Sequence, residues 1–232
     1  MARAGRPTRR AAHRAAAIGL GALLFLAGAT ARAGPPGAAR PIATAAILTA
    51  GVITARDVPA TWIATPRSTA PDPFPTGAAC HTLATAERRA RRSPHAVSPQ
   101  FSDPQSGNTT EADNTVYAFA NAAAARRYLA AYADPSASGC FRLVLTEAVG
   151  PSATVAIAPL TAQLAGLGDE QAGYEGTVQG TNGAGQPVAL IADVAAVRVG
   201  RAVTVFEFLS ANEQIAAGPA IVDTVVHRLA GR

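Results

Sequence analysis

The sequence predicts an α+β domain, a twisted and mainly antiparallel sheet with helices packed on it. Three observations carry that expectation. Two β-prone runs, 174–179 and 188–199, flank the turn-forming stretch Gly180-Thr181-Asn182-Gly183-Ala184-Gly185, which is the pattern of a hairpin. Val199-Gly200-Arg201-Ala202 reads as a second hairpin, with Gly200 able to take the positive φ of a two-residue turn. The helical patterns stand before and after this run of strands and do not alternate with it, which separates the chain from the doubly wound class.

The first 33 residues have the three parts of a secretory signal peptide. Arg3, Arg6, Arg9, Arg10 and Arg14 precede an apolar stretch from Ala15 to Ala27, and Ala31-Arg32-Ala33 supplies a small-residue cleavage site. The apolar stretch is short for a membrane span. Cleavage before Gly34 and an extracytoplasmic address are therefore expected, with an uncleaved anchor as the alternative and no membrane span left after cleavage. The formal charge of +5 contains six leader arginines and no leader acid, so the remainder carries −1. Nucleic-acid binding needs a concentrated cationic face, and that support disappears with the leader. All 20 cationic side chains are Arg, a composition better explained by codon bias than by phosphate recognition.

Residues 34–42, with Pro35, Pro36 and Pro41 among them, are expected to be a flexible leader into a single domain spanning 43–232. Ile47, Leu48, Val52 and Ile53 form one helical stripe, ended by Asp57-Val58-Pro59. Prolines 66, 71, 73 and 75 make the following stretch a surface loop. A short helix then runs from Cys80 to Arg92, and its Glu87-Arg88-Arg89-Ala90-Arg91-Arg92 end reads as solvated. Ser93 to Asp113 is polar and loop-like, with one short strand around His95 to Phe101.

Thr115-Val116-Tyr117-Ala118-Phe119 is a strand, and Asn121 caps a helix whose stripe is Ala125, Tyr128, Leu129 and Tyr132. Asp134-Pro135 starts the next helix, with Cys140, Val144 and Leu145 on one side, although 141–146 also suits a strand. Thr154 to Ala158 is a strand and Gly166-Leu167-Gly168-Asp169-Glu170 a turn. In the second hairpin the register pairs Val199 with Ala202, Val197 with Thr204 and Ala195 with Phe206, with Arg198 opposite Val203 on the other face. Both faces keep apolar side chains, so both are expected to be covered. Ile215, Val222, Val225, Val226 and Leu229 mark a closing helix, capped by Asn212 and kinked or started late by Pro219.

Cys80 and Cys140 both lie beyond the leader, and in an oxidising compartment a lone pair is most simply a disulfide. Two buried thiols or a metal-ligating pair are the alternatives, but neither C-x-x-C nor a His at ligand spacing accompanies them.

Chemistry is otherwise sparse. No nucleophile elbow, zincin helix, P-loop or dinucleotide fingerprint occurs, so no catalytic residue, metal or cofactor is assigned. His81, His95 and His227 are far apart in sequence, and Asp169-Glu170 read as water-facing neighbours. Trp62, Tyr132 and Tyr174 are the candidate ligand-binding residues, able to line a pocket for an apolar or sugar-like molecule, whereas Tyr117 and Tyr128 suit core packing.

The succession Ile47-Leu48-Thr49, then Arg56-Asp57-Val58-Pro59-Ala60-Thr61-Trp62, Cys80, and Val116-Tyr117-Ala118-Phe119 before an Ala-rich helix resembles the PknH-like extracellular sensor domain family. Gly166-Leu167-Gly168-Asp169-Glu170, Val197-Arg198-Val199-Gly200 and the closing helix continue the likeness, which spans 43–229. The resemblance implies a twisted antiparallel sheet, helices packed on it and a cleft for a ligand. It offers no catalytic residue. The chain departs from the family's kinases in carrying no kinase domain and one cysteine pair where the kinase's sensor has two. The favoured function is thus a non-catalytic binding or sensor module for an envelope lipid or glycan. An envelope protein-interaction module and an unrecognised hydrolase are the alternatives.

Overall fold

The computed structural model describes residues 43–231 apart from 68–73, 76, 107–109, 151–152, 161–162, 182–186, 212–214 and 216. The expected signal peptide and leader segment, Asn212 and residues 182–185 of the first hairpin's expected loop lie outside the described residues, while Gly180 and Thr181 belong to β6. The elements are α1 (Thr44–Gly51), β1 (Ile63–Thr65), α2 (His81–Ala90), β2 (His95–Val97), β3 (Gln100–Ser102), β4 (Glu111–Ala118), α3 (Ala122–Tyr132), α4 (Pro135–Val149), β5 (Thr154–Pro159), β6 (Glu170–Thr181), β7 (Pro187–Val199), β8 (Ala202–Ala211) and α5 (Gly218–Leu229). They build one open, antiparallel eight-stranded sheet in the order β1-β3-β4-β8-β7-β6-β5, with β2 paired beside β3 along β4. This is the expected α+β class.

Period-two alternation on the long strands sends apolar side chains to both sides, and both are covered. Ala195, Val197, Phe206 and Phe208 meet Ile221, Val222, Val225 and Val226 of α5 on one face, while Ile47 of α1 packs with Val116, Ala118 and Leu229. On the other face Tyr117, Phe119, Ala196, Val203 and Val205 meet Leu83 of α2, Leu129 of α3 and Cys140 of α4. The β7–β8 register is the one the turn chemistry dictates: Val199 pairs with Ala202, Val197 with Thr204 and Ala195 with Phe206, across a turn in which Gly200 has φ +59°. The local caps also follow the sequence. Asn121 accepts a hydrogen bond from the Ala124 amide (2.9 Å), and Asp134 accepts one from Ser136 (2.8 Å) with Pro135 opening α4. Pro219 sits in the first turn of α5, a late start and not a kink.

Two expectations need correction. The first helix stops at Gly51, so Val52 and Ile53 leave it in extended or loop conformation. Its terminal carbonyls are taken from outside, by Asn114 Nδ2 on Gly51 O (2.6 Å) and by Arg228 Nε on Ala50 O (2.8 Å) and Nη2 on Val52 O (2.6 Å). Caps that come from 63 or more residues away leave no local signature. The polar stretch 93–113 is also not one loop with a single strand. It contains β2, β3 and the start of β4, because Glu111, Ala112 and Asp113 pair with Leu209, Phe208 and Glu207 of β8.

The Gly166–Glu170 turn and the β7–β8 hairpin are locked together. Arg198 is 5 % exposed, and its guanidinium donates to Asp169 Oδ2 (2.9 Å), Glu170 Oε2 (3.1 Å) and Gly200 O (2.8 Å). Asp169 and Glu170 are therefore hairpin anchors. Gly168 has φ +63°, and a Cβ there would stand 2.5 Å from Arg198 O. Gly168→Ala is expected to cost about 2 kcal/mol from left-handed strain and crowding, measurable by urea unfolding. Gly150→Ala, which has open space around it, serves as the comparison for backbone strain alone.

Candidate functional site

The alternation of β4 puts Asn114 and Asp113 on opposite faces of the sheet. Asn114 points to α1; Asp113 lines a cleft under α3 and α4. Glu207, Val194 and Tyr174 stand across from Asp113 in consecutive strands, and Glu111, Leu209, Ala192, Gly176 and Ile157 form the next row. Helix α4 roofs these rows with Phe141, Val144 and Leu145, which recur at helical spacing on one stripe. Gly176 allows that approach, since a Cβ there would collide with Leu145 Cδ1. The enclosed space is about 390 Å³, within the range of small-molecule sites.

One end of the cleft is ionised. Arg67 pairs with Asp113 and, at 3.1 Å, with Glu207, while Gln100 Nε2 donates to Glu111 Oε2 (2.7 Å). Burial raises the Asp113 carboxyl to about 7, with Glu207 and Glu111 adding repulsion against the opposing pull of Arg67. Burial also raises Glu111, and it raises Asp193, with help from Glu175, to about 6. In Asp113 and Asp193 the folded state holds protons more tightly than the unfolded chain. Stability should accordingly fall as pH rises from about 4 to about 7, by on the order of 2 kcal/mol. Thermal midpoints at pH 5 and pH 8 measure this, and Asp113→Asn should remove most of the drop.

The three candidate aromatic residues separate. Tyr132 and Tyr174 line the cleft, linked through Phe141 by ring centroid distances of 6.3 and 5.3 Å. Trp62 does not. The turn closed by its amide on Pro59 O (3.0 Å) folds it against the core cluster of Ile53, Val58 and Phe101. Tyr132 offers the cleft its ring only, because its hydroxyl donates to Glu87 Oε1 (2.7 Å). Tyr117 (3.0 Å) and Tyr128 donate to the same carboxylate. Burial and the Glu87 charge push all three phenols well above their ordinary range, so they stay neutral donors. Glu87 is 6 % exposed and not part of a solvated helix end, a role that its run of arginines conceals.

Sequence reasoning missed Arg67, Glu111, Asp113, Phe141 and Glu207. A signal was available in Glu111-Ala112-Asp113-Asn114, an acidic and small alternation leading straight into the recognised strand. Cys80 and Cys140 form a disulfide joining the start of α2 to α4, with Cα atoms 4.6 Å apart. His95 and His227 contact backbone carbonyls (3.0 and 2.8 Å), and His227 also meets Asp223 Oδ1 (3.0 Å). Among the described residues no histidine bonds a serine hydroxyl, no group of His, Cys, Asp and Glu is placed to hold a metal ion, and no helix is long and apolar enough to cross a membrane.

Neither any family model nor any curated protein sequence matches the chain. Solved structures do. The fold is that of the extracellular domain of PknH from Mycobacterium tuberculosis, whose crystal structure superposes with a TM-score of 0.56 at 14 % identity. The match covers 83 % of this chain and 99 % of that one, so the PknH-like architecture extends over nearly the whole neighbour.

Proposed function

We propose that this chain is an exported, non-catalytic, sensor-like domain that holds an envelope molecule in the cleft between the sheet and α4. Residues 1–33 act as its signal peptide, 34–42 as the leader and 43–232 as the folded unit. The observation that carries the reading is the cleft itself: about 390 Å³, with apolar walls and convergent ionisable groups at one end. The similarity to the extracellular domain of PknH and the buried Cys80–Cys140 disulfide support an oxidising, extracytoplasmic setting. Among the described residues the cleft's acidic groups are paired as ion bridges and amide contacts, an arrangement that suits holding a molecule better than transforming it.

The test is to express the full chain with its own leader in an exporting host. Sequencing of the recovered protein should begin at Gly34, and native mass spectrometry after exposure to envelope lipids and glycans should show a bound mass. Val144→Trp, which fills the cleft, should lose it. A uniformly unliganded wild-type protein, or one retained uncut in the cytosol, would contradict the reading.

A further inference from the structure

The cleft's walls and its charged end differ in chemistry, and the difference constrains what can bind. Along the walls, Phe141, Val144, Leu145, Ile157 and Leu209 present hydrocarbon and aromatic surface. Of the ionisable carboxyl and guanidinium groups that the described lining residues turn toward the cleft, Glu111, Asp113 and Glu207 are acidic and Arg67 alone is basic, whereas Asp193, opposite Phe208 and Glu175, is in phase with the α5 face. That guanidinium is already engaged by two of the acids. An anionic ligand would have to displace one of them and then sit beside the rest.

We propose that the molecule bound in this cleft is a cationic amphiphile, an apolar body carrying a protonated amine. The amine sits among Glu111, Asp113 and Glu207, and the apolar body lies under α4 against Phe141, Leu145 and Tyr174. A bare divalent ion is the poorer match, since no set of these carboxylates converges in ligand geometry. An extended ammonium compound instead gains charge-assisted hydrogen bonds at one end and burial at the other. Glu207 is half exposed and Asp113 nearly covered, so the acidic end forms a graded entrance, with the more accessible carboxylate outermost.

This inference rests on the cleft being a binding site, and the experiment separates the two. Octylamine, octanol and octanoate share one apolar tail and differ in head-group charge at pH 7.5. Titration calorimetry on the exported protein should rank the amine about tenfold or more above the alcohol, with the carboxylate weakest. Glu207→Gln, at an exposed position that leaves the fold intact, should shrink the amine's advantage, and Asp113→Asn should shrink it further, while octanol binding stays near the wild-type value. Equal binding of alcohol or carboxylate would overturn the cationic ligand and leave the cleft reading standing. An amine preference unchanged in both variants would overturn the placement of the amine. No binding of any of the three by the wild type would overturn both.

Discussion

Replacing Asn114 by alanine lowers the thermal midpoint by about 10 °C, equivalent to about 3–4 kcal/mol for a domain of this size. Asn114 is fully buried, and its side chain accepts from the Ile53 amide (2.8 Å) and donates to Gly51 O (2.6 Å) and Thr204 Oγ1 (2.8 Å). Its backbone exchanges hydrogen bonds with Ser98, N–H to Oγ and O to N–H, both at 2.9 Å. One side chain thus ends α1, turns the chain toward β1 and ties both to the centre of the sheet. Truncation leaves the Ile53 amide without its partner and weakens the Gly51 cap, which Thr204 Oγ1 then holds alone at 3.3 Å. Ser98→Ala, which removes a hydroxyl that accepts from the Asn114 amide and donates to Pro99 O (2.8 Å), should cost about 1–2 kcal/mol. Differential scanning calorimetry distinguishes the two values, and equal small losses would mean that α1 is held by apolar packing instead.

Loss of the disulfide in the double variant Cys80→Ser/Cys140→Ser has an effect of similar size. The bridge spans 60 residues, for which the chain-entropy model gives about 4 kcal/mol. Both cysteines are buried beside Leu83 and Leu129, so paired hydroxyls there add a desolvation cost. The consequence should reach the cleft. Cys140 is one residue before Phe141 and on the same helix as Val144 and Leu145, so freeing α4 from α2 loosens the roof over Tyr174 and Gly176. Urea unfolding should show a lower midpoint, and ligand affinity should fall further than in Gly168→Ala, which lies away from the cleft. Unchanged stability would mean that packing around Tyr128, Tyr132 and Glu87 already fixes α4 without the covalent link.

What could be read from the sequence was whatever local chemistry determines. The two-residue turn at Gly200 specified its register, because side-chain alternation allows no one-residue slip without exposing Val197 and Phe206. Asn121 and Asp134 announced helix starts because a cap acts within three residues. The end of α1 was not legible, since Asn114 and Arg228 supply its caps through tertiary contact. Neither was the acidic end of the cleft: Arg67, Asp113 and Glu207 are distant in sequence, and β4–β8 pairing alone brings the two acids face to face. Of the three candidate aromatic residues, Tyr132 and Tyr174 stand at the cleft on α3 and β6, whereas the position of Trp62 depends on a turn packing onto the core, which has no local signature.

The central claim is that the space between the sheet and α4 receives a ligand. Titrating the exported, isotope-labelled protein with envelope lipid extract while following backbone amide chemical shifts tests it most directly. The account predicts perturbations gathered at Val144, Tyr174, Gly176 and Val194, with little change in the separate groove between α2 and α3 that Thr82, Thr85, Ala86, Ala124 and Arg127 line. Perturbations confined to that groove, or none at saturating extract, would contradict it.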